Sequence, residues 1–173
     1  MAYHIHRSDY NLRLHSFPVV AFLDATFDIV TCRIAVHHFP NPEQFVREAR
    51  RVLKPGGAFL LIDNVVPSDP TLAEYVNTIE KLRDESHARC ASIEEWTEWL
   101  GCAGFQVERS QSTRKTFEFA TWMQRMARDE SHVRRVEDYI LSGAPAAREY
   151  CQVKVEDGRV VSWQGEQWMA LCR

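Results

Sequence analysis

Two short apolar stretches decide the fold: Phe-Asp-Ile-Val-Thr-Cys at residues 27–32 and Ala-Phe-Leu-Leu-Ile-Asp at residues 58–63. Each predicts a strand inside a core, and the first predicts one buried on both faces. Between them, Asn41-Pro42 is a typical helix start, and Lys54-Pro55-Gly56-Gly57 is a typical helix end. Strand, helix and strand in this order indicate a βαβ unit, with parallel strands and a right-handed crossover.

The expected position of a ligand site follows from this unit alone. Open α/β sheets bind their ligands in the crevice outside the carboxyl ends of the strands. Those ends lie at residues 32–39 and 63–67. We therefore look for functional side chains in these two short segments.

The remaining sequence predicts more helices and an antiparallel ending. Helix signals, alternating apolar residues and turn residues follow one another along the chain. The predicted elements are a helix from Asp69-Pro70, a helix from the capping box Ser92–Glu95 to Gly104, a strand at 105–109, a helix at 131–141, a hairpin of 153–156 and 159–163 about a type I′ turn at Asp157-Gly158, and a final strand at 167–172.

Composition excludes several classes of protein. The net charge of −3 gives no electrostatic case for binding nucleic acid. Five cysteines without a CxxC pair favour reduced thiols over disulfides or a zinc site. No stretch approaches the ~18 apolar residues of a membrane span, and no signal peptide is recognised, so we expect a soluble, cytoplasmic protein. The first glycine is Gly56, which excludes a Gly-rich nucleotide loop in residues 1–55.

Several motifs resemble one known family. Asp-Ala-Thr-Phe-Asp-Ile-Val at residues 24–30 resembles the entry to the fourth strand of class I S-adenosylmethionine-dependent methyltransferases. Arg-Ile-Ala-Val-His-His-Phe at 33–39 and Arg-Val-Leu-Lys-Pro-Gly-Gly at 51–57 are similar to the following segments of its UbiE-like, type 11 group. Trp96, Leu100 and Ala103-Gly104-Phe105 resemble that group's approach to strand six. The resemblance extends over about residues 22–173.

The resemblance implies an α/β fold: the C-terminal part of a Rossmann-like methyltransferase sheet, mixed with an antiparallel C-terminal hairpin. Residues 1–22 are expected to be an atypical N-terminal segment, and residues 23–173 a truncated methyltransferase-like domain. The strand at 27–32 would then be an edge with unpaired backbone groups. We expect residues 3–23, a second copy of the chain or a separate partner chain to cover it.

The resemblance also assigns site residues. Cys32, Arg33 and Ile34 match the strand end where the family packs S-adenosylmethionine, and His38 just beyond is the candidate catalytic residue. Because no Gly-rich loop is found, we expect S-adenosylmethionine binding to be weak or absent. The substrate would be a small molecule, with residues 67–91 as a lid. No metal is expected, because adjacent His37 and His38 on an extended segment point in opposite directions.

Two functions stay open at this point. The first is methyl transfer, by this chain alone or together with a partner chain, and the second is a non-catalytic remnant that acts as an interaction module or dimer. The roles of two single residues also stay open. His38 could cap a helix or pack in the core instead of acting in catalysis. Arg33 could pair with a pocket anion or with a neighbouring Asp.

Overall fold

The computed structural model describes residues 22–173, which form a mixed sheet flanked by helices. The predictions that concern residues 1–21 lie outside this range. The strands are β1 (Phe27–Arg33), β2 (Leu53–Val65), β3 (Val107–Glu118), β4 (Lys154–Glu156) and β5 (Arg159–Cys172). The helices are α1 (Pro42–Val52), α2 (Pro70–Arg83), α3 (Ile93–Cys102), α4 (Phe119–Gln124), α5 (Glu130–Ser142) and α6 (Pro145–Tyr150), with a 3₁₀ turn at Val36–His38.

The sheet confirms the predicted fold class. Its strand order is β1-β2-β5-β3, and β4 pairs with the start of β5. β1 runs parallel to β2 with α1 between them, so the βαβ unit is confirmed. β5 is antiparallel to both β2 and β3. Asp157 and Gly158 both have positive φ, 48° and 76°, as the predicted type I′ turn requires.

One face of the sheet carries the main core. Along β2, buried Phe59 and Leu61 alternate with half-buried Leu60 and Ile62, so the two faces of the strand differ. α1 and α3 cover the buried face, to which Trp96 contributes from α3. The segments after β1 and β2, where the sequence predicts the site, therefore lie at the end of a sheet whose one face is covered by α1 and α3.

A second core lies beside the first and consists mainly of helices. α2 and α5 pack together, and Trp163 at the start of β5 is buried against Trp122 of α4. Tyr75 of α2 donates its hydroxyl to the carbonyl of Ile140 in α5 at 2.7 Å. This core fixes α2 and the loop that follows it, which border the predicted site.

Several sequence predictions about the elements were wrong. β1 is not buried on both faces, because none of its residues is fully buried and Ile29 is 64% exposed. Among the described residues, β2 is its one neighbour in the sheet. The strand predicted at 105–109 begins only at Val107 and continues to Glu118 as β3, and the strands predicted at 159–163 and 167–172 are one continuous β5. α4 and α6 were not predicted. Within residues 22–173, no helix combines the length and the apolar character needed to span a bilayer.

Candidate functional site

The carboxylate of Asp63 joins the carboxyl ends of β1 and β2. Asp63 is 1% exposed, and its Oδ2 accepts the backbone N–H groups of Val36 at 2.7 Å and His37 at 3.2 Å. Its Oδ1 accepts Nδ1–H of His37 at 2.5 Å and the N–H of Asn64 at 2.8 Å. A buried carboxylate is stable only when its oxygens are hydrogen-bonded in this way. Asp63 therefore holds the 3₁₀ turn against β2.

The 3₁₀ turn brings histidines together, which corrects the expectation of an extended segment. The ring centroids of His37 and His38 are 4.2 Å apart, and that of His87 lies 5.5 Å from His37 and 6.4 Å from His38. We call these three residues the histidine cluster. A 3₁₀ turn does not alternate its side chains as a strand does, so neighbouring rings can meet. Among residues 22–173, no three metal-ligating side chains converge on one point.

The loop between α2 and α3 is fastened over the turn. The backbone N–H groups of Ala88 and Arg89 donate to the carbonyl of His37 at 2.8 and 3.0 Å. Asn77 of α2 accepts the N–H of Cys90 at 2.6 Å and Nε2–H of His87 at 3.0 Å through its Oδ1. The segment predicted as a lid is thus tied to the histidine cluster by backbone and side-chain hydrogen bonds.

Burial disfavours the charged forms of two ionisable groups in this region. Burial is the largest cause that lowers the pKa of His87, to about 4, and nearby His37, His38 and Lys81 act in the same direction. Burial also raises the pKa of the Glu80 carboxyl, although Arg83 beside it acts the other way. Both shifts disfavour the charged form, as expected for poorly solvated groups.

The residues predicted to contact a cofactor do not all lie together. Cys32 packs against the main core, and burial, with a smaller contribution from Asp63, raises its thiol pKa to about 12. Arg33 is exposed on the other sheet face, in a row with Ile62 and Met169. This row lines a shallow depression of about 280 Å³. Strand alternation separates Arg33 from Cys32.

Ile34 adopts an unusual backbone conformation at the strand end. Its φ of +50° lies in the left-handed region, which is costly for a β-branched residue. Its N–H donates to the carbonyl of Ile62 at 2.7 Å, so β2 holds it in place. This strained residue turns the chain from β1 into the 3₁₀ turn that carries His38.

Sequence reasoning missed the polar residues that approach the cluster from the α2–α3 loop. Ser86 lies 48 residues after His38, and Asp84 lies two residues before Ser86. No rule based on local spacing connects residues so far apart in the chain. The sequence does single out this segment in one way: the pentapeptide Arg-Asp-Glu-Ser-His occurs twice, at 83–87 and at 128–132. The first copy ends α2 and meets the histidine cluster, and the second begins α5.

Replacing Asp63 should destabilise the protein far more than replacing an exposed aspartate. We expect Asp63→Asn to lower the free energy of unfolding by about 3 kcal/mol, because an amide keeps only one acceptor oxygen, and the buried N–H groups bonded to the other oxygen would then face an NH₂ group. Asp28→Asn is the matched control, since Asp28 forms an exposed ion pair with Lys54 at 2.9 Å. It should cost less than about 1 kcal/mol in urea unfolding. Equal losses in the two variants would contradict this role of Asp63.

Acid should weaken the fold through His87. Its folded pKa of about 4 lies below the unfolded value of 6.5, so the unfolded chain binds more protons between these values. The stabilisation is complete above pH 6.5 and is lost as the pH falls towards 4, by up to about 3 kcal/mol. Urea unfolding across this range should show a shallower pH dependence for His87→Gln than for the natural chain. The raised pKa of Glu80 changes stability with pH in the opposite direction, but it is present in both proteins and cancels in the difference between their stability curves. Parallel curves for the two proteins would refute the role of His87.

Comparison with known proteins gives the family. A family profile described as a methyltransferase domain matches residues 4–61, which include β1, Ile34 and His38. The match begins inside the segment 1–22, whose atypical character stays a prediction. The crystal structure of a methyltransferase-family protein from Bacillus halodurans C-125 is 42% identical, with a TM-score of 0.86, over 89% of this chain and 72% of that one.

Two curated relatives agree with this match. An uncharacterised methyltransferase, YcgJ of Bacillus subtilis, is 34% identical over 82% of this chain and 56% of its own length. YafE of Escherichia coli, an uncharacterised protein, is 33% identical over 75% of this chain and 62% of its own length. The chain thus spans about three fifths of these relatives. By its fold, its motifs and these matches, the chain belongs to the class I S-adenosylmethionine-dependent methyltransferases.

Proposed function

We propose that this chain takes part in methyl transfer from S-adenosylmethionine to a small molecule, with His38 as the base that accepts the acceptor's proton. The observation that carries the proposal is the position of the histidine cluster. It lies just beyond β1 and against the carboxyl end of β2, where α/β sheets bind their ligands. Family membership supplies the reaction class, and the position of His38 supplies its role.

The residues at the end of β1 fit one side of a site for S-adenosylmethionine. Ile34 offers apolar surface and Cys32 a neutral thiol, whereas Arg33 lies on the other sheet face and does not line this side. The backbone offers less, because the N–H groups of Ile34, Val36 and His37 already donate within the protein. We therefore expect this chain to bind the cofactor weakly, with a Kd of about 1 mM, or about 4 kcal/mol.

The cofactor, when bound, supplies a methyl group on a cationic sulfur, which departs as a neutral thioether. An acceptor oxygen, nitrogen or carbon forms the new bond to that methyl group and must lose its own proton. His38 receives this proton on its imidazole and becomes an imidazolium, so the charge balances. A positioned base of this kind contributes about 10²–10⁴-fold to a rate. The rest of catalysis is alignment of acceptor and methyl group.

The acceptor side of the site would be formed by the start of α1, the α2–α3 loop and α3. Arg89 pairs with Glu95 at 2.7 Å and lies over the ring of Trp99, beside a depression of about 360 Å³ that Phe39 also lines. Aromatic and apolar walls with a few polar groups are typical of sites for small molecules. This surface supports a small-molecule acceptor.

The test is methylation of a panel of small phenols, amines and activated carbon acids with labelled S-adenosylmethionine. We expect His38→Gln to lower the rate about 10²–10⁴-fold, because glutamine cannot take up the acceptor's proton. His132→Gln is the control, since His132 lies against the second core, with Nε2 bonded to the carbonyl of Leu82 at 2.7 Å. Calorimetry with S-adenosylmethionine should show equally weak binding for all three proteins. Methylation unaffected by His38→Gln would exclude His38 as the base, and saturable micromolar binding would exclude weak affinity.

The exposed edge of the sheet favours a second candidate function, a non-catalytic module that pairs with a second copy or with a partner chain. β1 has one sheet neighbour among the described residues, and Ile29 on it is 64% exposed. Leu23 and Phe22, just before β1, are 83% and 46% exposed. An apolar edge strand of this kind is a template for pairing.

If this candidate holds, light scattering should show a dimer whose population rises with concentration. Ile29→Lys should abolish it, because a lysine on an edge strand opposes pairing. Met169→Lys is the control, because Met169 is an exposed apolar residue on β5 and not on β1. This variant should leave the dimer intact. A strict monomer at every concentration would rule out self-pairing through β1.

A further inference from the structure

Ser86 contacts the ring of His38 and also a buried carboxylate. Its Oγ lies 3.1 Å from Nδ1 of His38 and 2.6 Å from Oδ1 of Asp84. The short distance to Asp84 is typical of a hydroxyl that donates to a carboxylate. A serine hydroxyl has one hydrogen, and that hydrogen is used on Asp84. The remaining contact therefore needs a hydrogen from the histidine, so Nδ1 of His38 is the donor.

This donor assignment fixes the tautomer of the neutral imidazole. With the hydrogen on Nδ1, the lone pair of His38 lies on Nε2. A base needs that lone pair, and a ring that exchanged freely between tautomers would present it only part of the time. The contact with Ser86 thus selects the form of His38 that can accept a proton at Nε2.

His132 provides an internal comparison, because it has the opposite pattern. Its Nδ1 accepts the backbone N–H of Arg128 at 3.3 Å, and its Nε2 donates to the carbonyl of Leu82 at 2.7 Å. The same reasoning places its hydrogen on Nε2. The fold therefore holds two histidines in different tautomers, each through local hydrogen bonds.

Ser86 and Asp84 are themselves held in place. Asp84 is 7% exposed, caps the end of α2 through an N–H bond to the carbonyl of Glu80 at 2.9 Å, and accepts the N–H of Ser86 at 2.9 Å. Lys81 donates to the carbonyls of Glu85 and His87 at 2.8 and 2.7 Å. With the two loop N–H bonds to the carbonyl of His37, these contacts prevent Ser86 from turning away from His38. A functional side chain gains precision from such a supporting shell.

We propose that Ser86 and Asp84 are positioning residues for His38: Asp84 orients the hydroxyl of Ser86, and Ser86 holds the imidazole as the Nδ1–H tautomer. This inference rests on the proposed role of His38 as the base. When His38 accepts the acceptor's proton on Nε2, it keeps its hydrogen on Nδ1, and the Ser86 oxygen and the Asp84 carboxylate beyond it stabilise the imidazolium. No other bond changes in this pair.

The pentapeptide that occurs twice provides a matched control. Ser131 also donates its hydroxyl to the aspartate two residues before it, Asp129, at 2.7 Å. Ser131 thus repeats the sequence and the aspartate contact of Ser86, and it differs in not being paired with His38. Ser131→Ala therefore removes the same chemistry without touching the cluster.

The experiment is ¹⁵N-histidine NMR of the full chain at about pH 8, above the ordinary histidine pKa of about 6.5. We expect the His38 signals, assigned with His38→Gln, to show Nδ1–H in the natural chain. Ser86→Ala should move them towards Nε2–H, Ser86→Thr should restore Nδ1–H, and Ser131→Ala should leave them unchanged. Nε2–H in the natural chain would overturn the proposal even if Ser86→Ala fails to fold, and so would a Ser86→Ala spectrum equal to that of Ser131→Ala.

Methylation kinetics separate this proposal from the proposed function. If both hold, Ser86→Ala should lower kcat roughly tenfold to hundredfold with little change in KM, and Ser86→Thr should recover most of it. If no acceptor is methylated although His38 has the expected tautomer, the proposed function fails and the assignment of the ring stands. If methylation depends on His38 but not on Ser86, the positioning role fails alone.

Discussion

The buried carboxylate of Asp63 is the constraint on which the site depends. It satisfies the N–H groups at the start of the 3₁₀ turn, where Val36 is 1% exposed and water cannot replace it. The 3₁₀ turn directs the carbonyl of His37 to the α2–α3 loop, where backbone N–H groups bond to it. This attachment of the loop brings Ser86 to His38. One charge at the end of β2 thus orders a chain of contacts that reaches the proposed base. An apolar residue there would leave these N–H groups without an acceptor.

The parts of the fold that the sequence predicted well depend on local interactions. Asn41 caps α1 by accepting the N–H of Gln44, and Ser92 and Glu95 form the expected reciprocal capping box. Each of these involves residues three apart, so the residue types and their spacing are sufficient. The βαβ order follows from apolar runs between such caps. Strand lengths were predicted poorly, because β3 and β5 extend by pairing with each other through polar residues that show no apolar pattern.

The site could be predicted only in part, because its contacts join distant segments. His38 was found from a family motif, but Ser86 lies 48 residues away and no local rule connects them. The repeated pentapeptide shows why: Asp84 ends α2, and Asp129 begins α5, although their neighbours are identical. Tertiary packing decides which role the same five residues take. The environment of β1 was misjudged for the same reason, since burial depends on neighbours that the strand's own sequence does not specify.

The protonation states around the proposed site suit methyl transfer in a further respect. A thiolate is a strong nucleophile, and one beside an electrophilic methyl group would compete with the acceptor. Burial raises the pKa of Cys32 to about 12, so it remains a thiol at neutral pH. Burial likewise disfavours the charged forms of His87 and Glu80. The half-buried His38, beside Ser86, is the group that we propose as the base.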